Sequence, residues 1–145
     1  MKSTAVILKL GAVVLAVGLA ACAEARDPFD RRITFERIER SFRDQGLRLC
    51  SNVEKNGNAN QAVASHEYRL ALDCATTDDA AVTVDKFTQA EDRDAAARGF
   101  EVQSRPRAGG AVYTLGPFAV LVLPATTDDN ILNKTNAALK KLSAD

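Results

Sequence analysis

The chain has no tryptophan, one histidine and two tyrosines in 145 residues. So few aromatic rings leave little for the stacking platforms that grip single-stranded nucleic acid. One histidine, His66, limits acid–base chemistry near neutral pH to a single ordinary candidate. Charge of one sign is also missing, since 19 basic side chains balance 19 acidic ones. No strong field points to nucleic acid or to an acidic lipid surface. No P-loop, dinucleotide-binding glycine pattern or low-complexity tract appears, so no nucleotide or other cofactor is expected. "ATTDD" occurs at 75–79 and 125–129, but no repeat surrounds it. Thr and Asp suit both turns and helix caps, so one short string serves twice.

What is present begins with the N-terminus. Met1-Lys2-Ser3-Thr4 precedes an apolar run, Ala5 to Ala21, broken only by Lys9. A charged start, an apolar stretch and small residues before a cut make a secretory signal. The run falls short of the roughly 20 apolar residues that span a bilayer comfortably. It ends Leu19-Ala20-Ala21-Cys22, an aliphatic residue, two small ones and a cysteine. This resembles the lipobox of bacterial lipoproteins. The resemblance covers residues 1–22 and implies a diacylglyceryl group on the Cys22 sulfur, cleavage between Ala21 and Cys22, and an acylated new N-terminus. Two or three acyl chains anchor stably, since each buried CH₂ contributes about 0.8 kcal/mol and a single chain is marginal. The alternatives are an ordinary signal peptide cut after Ala21 or Ala23, with Cys22 incidental, and an uncleaved membrane anchor. Ala23 after the cysteine resembles residues that permit transfer to the outer membrane. In a one-membrane cell the anchor is the outer leaflet of the cell membrane. In the uncut precursor, residues 1–21 are expected as a helix with few contacts to the domain.

Three segments follow: a signal peptide (1–21), a lipidated tether (22–30) and one domain (31–145). The tether, "AEARDPFD" after Cys22, holds Pro28 and four charges. It is expected to be mobile and keeps the domain near the membrane. Removing residues 1–21 leaves 124, with 17 basic and 19 acidic side chains, enough for one core. With Cys22 lipidated, Cys50 and Cys74 remain. In an exported chain they are expected to form a disulfide across 24 residues, contributing on the order of 3 kcal/mol; two buried free thiols are the alternative. A metal site is not expected, because Cys50, Cys74 and His66 lack any gathering spacing.

Periodicity supplies the elements. Phe35, Ile38 and Phe42 line one face of a helix capped by Thr34 and stopped at Gly46. Its arginines are interleaved with acids, as on a solvated face. "LRLCSNVEK" and "HEYRLALDC" read as a hairpin of two strands, with Tyr68, Leu70, Leu72 and Cys74 on one face. Cys50 is out of phase with that face, which a bulge near Ser51 would repair. "AAVTVDKF" is a third strand. "TQAEDRDAAARG" is a second helix with a capping box at Thr88 and a stop at Gly99. "AVYTLGPFAVLVLP" holds two strands, the second apolar at nearly every position and so covered on both faces. The last helix is capped by Thr127 or Asp128, with Ile131, Leu132, Thr135, Ala138, Leu139 and Leu142 buried. The order α-β-β-β-α-β-β-α gives an α+β two-layer sandwich, three helices on one face of a mostly antiparallel five-stranded sheet. It resembles small exported lipoprotein domains of unassigned function.

Chemistry is sparse. His66 has no sequence-visible nucleophile, so no catalytic residue is assigned. The pairs Asp78-Asp79, Glu91-Asp92 and Asp128-Asp129 already suit turns, helix starts or caps. Arg105 and Arg107 flank Pro106 and suit either an anion site or an exposed loop. The expected role is a membrane-anchored binding or accessory module, in contact with the membrane through Cys22 and with another envelope protein. The alternative is a small envelope hydrolase or inhibitor-like protein whose site assembles only in three dimensions.

Overall fold

A computed structural model describes Phe29 and residues 32–56, 61–125 and 128–145. The expected leader helix over 1–21, Cys22 and most of the tether lie outside the described residues. Three helices and five strands follow the expected order: α1 Phe35–Asp44, β1 Arg48–Lys55, β2 Ala64–Ala71, β3 Ala80–Lys86, α2 Ala90–Ser104, β4 Ala111–Leu115, β5 Phe118–Pro124 and α3 Asp129–Ala144. The sheet is antiparallel at every pairing, in the order β1-β2-β3-β5-β4. β4 and β5 join through Gly116-Pro117, with Gly116 at φ +52°. That left-handed value at the first central position is where a two-residue hairpin turn calls for glycine.

β5 sits inside the sheet and alternates faces. Phe118, Val120 and Val122 enter one apolar cluster, with Ile38 and Phe42 of α1 and Ile131, Leu139 and Leu142 of α3. Ala119 and Leu121 enter a second cluster on the opposite face, with Ala96, Ala97 and Phe100 of α2. The expected single helical layer is therefore corrected for α2. α1 and α3 share one face, whereas α2 covers the other face of β5 and β4 as the chain crosses from β3 to the edge strand β4. The uniformly apolar β5 requires this, because each of its faces needs an apolar cover. Two layers persist at β1 and β2, where the second face carries Ser51, Val53, Glu67 and Arg69.

Local details also depart from pattern. α2 runs through Gly99 to Ser104, because Phe100, 4% exposed, pins the next turn into the second cluster. Its N-cap is Gln89, which makes no side-chain capping bond, so Thr88 does not open a capping box. β2 ends at Ala71, leaving Leu72 exposed and Cys74 in a turn. Asp73 breaks the strand: its carboxylate accepts from the Ala75 N–H and its carbonyl from the Thr76 hydroxyl. Elsewhere the caps hold. Thr34 accepts from the Arg37 N–H, Asp128 accepts from the Asn130 N–H, and Gly46 takes φ +76° after α1. Thr127 lies outside the described residues. Lys134 of α3 donates to the Gln45 carbonyl at 2.8 Å, tying α3 to the end of α1.

The bulge occurs where the phase demanded it. Leu49 pairs with Leu70 and Ser51 with Arg69, leaving Cys50 as the extra residue. Cys50 and Cys74 form a disulfide with Cα atoms 5.2 Å apart. The bridge closes one end of the sheet, where β1 begins and β2 ends. Phe29 comes from the expected tether yet packs on the domain at the other end. It contacts the second cluster, and the buried Arg93 guanidinium lies 5.6 Å from its ring centre.

Candidate functional site

His66 lies at one end of a polar chain between α1 and the β1–β2 hairpin. Its ring stacks on Phe35 at a centroid distance of 4.0 Å. Its Nδ1 lies 3.0 Å from Asn52 Oδ1. Asn52 Nδ2 donates to Glu39 Oε1 at 3.2 Å, and the Tyr68 hydroxyl donates to the same oxygen at 3.2 Å. A carboxylate only accepts, so Glu39 orients the Asn52 amide with its oxygen toward the imidazole. Burial, reinforced by the Glu39 charge, drives the Tyr68 phenol far above its ordinary range. Tyr68 therefore serves as a fixed neutral donor. This chain fastens α1 to the hairpin. It sets an amide and an aromatic ring against the imidazole, with no serine, threonine or cysteine in the series for the imidazole to activate.

The carboxylate pairs take up separate structural work. Asp79, 6% exposed, accepts two bonds from Arg69, and its carbonyl accepts from the Ala125 N–H. Glu91 and Asp92 lie in the first turn of α2, and Asp128 caps α3. Arg105 and Arg107 are exposed in the turn after α2. Among the described residues, no three His, Cys, Asp or Glu side chains gather into a group able to hold a metal. The chain matches no family model, no curated protein and no solved structure.

The concave feature of interest is at the end of the sheet opposite the disulfide. A cleft of about 300 Å³ is lined by Phe29, Ile33, Thr34, Lys86, Phe87, Thr88 and Pro117. Its parts come from the approach to α1, the end of β3 and the β4–β5 turn. The Phe87 N–H donates to the Pro117 carbonyl at 2.9 Å, locking β3 to that turn. Arg93 holds Phe29 in place while donating to the Gly116 carbonyl. The mouth carries Lys86. Just outside, burial raises Asp85 above the ordinary carboxyl range, opposed by a hydrogen bond from Ser65.

No single sequence signal pointed to this cleft. Phe29 and Phe87 are 58 positions apart and Pro117 lies 30 further on, so only the fold brings them together. A partial cue was present, in an aromatic residue placed within an otherwise charged tether.

Proposed function

We propose that the chain is a cell-envelope lipoprotein, anchored through acyl groups on Cys22, whose folded domain is a binding or accessory module. The observation that carries this reading is Leu19-Ala20-Ala21-Cys22 at the end of an apolar run. The Cys50–Cys74 disulfide supports export, since such bonds persist in oxidising compartments. The seven-residue step from Cys22 to the domain-bound Phe29 supports a domain held close to the bilayer. The cleft lined by Phe29, Ile33, Lys86 and Phe87 supports a binding role, since concave, partly apolar surfaces are where ligands seat. Among the described residues, no helix is long and apolar enough to cross a membrane.

Partner identity is tested by isolating the native chain from membranes after mild crosslinking and identifying bound proteins by mass spectrometry. A reproducible envelope protein, lost on substituting exposed residues of the domain, supports a binding module. Recovery of the chain alone at all crosslinker levels argues against it. Turnover of esters or peptides that disappears with His66→Ala, the fold intact, establishes the hydrolase instead.

A further inference from the structure

We propose that the cleft beside the tether seats a membrane phospholipid, with Phe29, Ile33, Phe87 and Pro117 against its glycerol and acyl portion and Lys86 and Thr88 on its phosphate. The proposal rests on the anchored reading above, which brings this end of the domain to a bilayer.

The geometry follows from chain length. Phe29 is seven residues beyond Cys22, a reach of about 25 Å at most when fully extended. Phe29 packs at the end of the sheet that holds the last residue of β3 and the β4–β5 turn. The strands run from there to the disulfide, over about 20 Å for a seven-residue strand. The cleft is therefore membrane-proximal and the Cys50–Cys74 bridge membrane-distal.

The chemistry selects the occupant. The lining combines two phenyl rings, an isoleucine and a proline with one ammonium group and two hydroxyls. Thr34 accepts from the Arg37 N–H and donates its own hydroxyl proton to the Glu36 carboxylate, which leaves Thr88 as the hydroxyl available to a ligand beside Lys86. An apolar wall with a cation at its mouth fits an amphiphile bearing a phosphodiester. Glu36 lies within electrostatic reach of both Lys86 and His66. Glu36 is also hydrogen-bonded by Thr34 of the lining, and an acid so placed favours a headgroup that carries its own ammonium over one with extra negative charge. The predicted ligand is thus a zwitterionic phospholipid drawn from the surrounding bilayer.

The test uses the full chain reconstituted into phosphatidylcholine vesicles doped with a photoactivatable phosphatidylcholine, with labelled residues mapped by mass spectrometry. Labelling should concentrate on Phe29, Ile33 and Phe87. Lys86→Gln should reduce it about fivefold, the upper range for a solvent-exposed charge contact. Val102→Ala, on the exposed side of α2, should leave it unchanged. Three results overturn the proposal: labelling spread over α2 or the disulfide end, no effect of Lys86→Gln, or equal labelling by a phosphate-free photoactivatable diacylglycerol. Cleft labelling that appears only with Cys22→Ser also overturns it, by making the chain's own acyl group the occupant. The intact mass of the same sample keeps the two readings apart. A labelled cleft without acyl mass on Cys22 defeats the anchor reading alone, whereas acylated Cys22 with an unlabelled cleft defeats the lipid site alone.

Discussion

Breaking the Cys50–Cys74 bridge measures how the fold is held at the end of the sheet where β1 begins and β2 ends. Cys74 is exposed in the turn after β2, and Cys50 is only partly buried in the bulge. Replacing either sulfur with a hydroxyl therefore removes little packing, and the cost falls mainly on chain entropy. For a closed loop of 24 residues, the loop-closure relation yields about 3.5 kcal/mol at 25 °C. That is a large part of the roughly 5–15 kcal/mol that separates folded from unfolded domains. Cys74→Ser should lower the urea midpoint accordingly and raise the denaturant slope slightly, because the uncrosslinked chain exposes more surface on unfolding. The assay is equilibrium urea denaturation followed by far-UV circular dichroism, comparing wild type, Cys74→Ser and the reduced wild type. The two perturbed forms should agree within about 1 kcal/mol, since both lose the same crosslink. A loss below about 1 kcal/mol in both would refute the reasoning and assign the stability of this end to packing around Leu49 and Leu70.

Phe100→Ala should cost about 3–5 kcal/mol by emptying the contact between α2 and β5; a loss near that of an exposed substitution would remove α2 from the second face. Tyr68 and Tyr113 both have phenols raised by burial. Their neutral forms stabilise the fold fully below the unfolded value of about 10, and that contribution fades as pH rises further. Absorbance at 295 nm should thus show tyrosinate appearing above the ordinary range, Tyr68 last, and titration of both phenols near pH 10 with ellipticity unchanged would contradict this. Asp85 is also raised by burial, so its contribution is fully present below the unfolded value of about 3.9 and is lost as pH rises through the folded value. Asp85→Asn should then gain stability over wild type at pH 7 and lose that advantage near pH 3.5; an equal difference at both would point to a steric cause.

Legibility varied with the range of the interactions. Caps at Thr34 and Asp128, the stripe of α3 and the β4–β5 turn depend on neighbours within a few positions, and their residues announce them. The bulge at Cys50 was visible as a phase conflict between a cysteine that had to reach Cys74 and a strand that pointed it elsewhere. The side of the sheet taken by α2 was not visible in its own residues, because alanine-rich periodicity defines a helix face without naming what it packs on. The cue to that side was in β5, whose unbroken apolar run demanded a second cover. Gly99 looked like a stop because glycine often ends helices, but Phe100 had an apolar cluster to fill, and packing outweighed propensity. The His66–Asn52–Glu39–Tyr68 chain and the Phe29 cleft join residues from distant elements. Their existence depends on how α1 and Phe29 dock, which no local pattern encodes.

The most direct test of the anchored reading is the intact mass of the chain recovered from the membrane fraction of cells expressing the full sequence. The account predicts a polypeptide beginning at Cys22, carrying the added mass of a diacylglyceryl group with or without a further acyl chain, and two hydrogens lighter for the Cys50–Cys74 bond. A soluble product beginning at Ala23 or later, or a chain starting at Cys22 with an unmodified thiol, would contradict it.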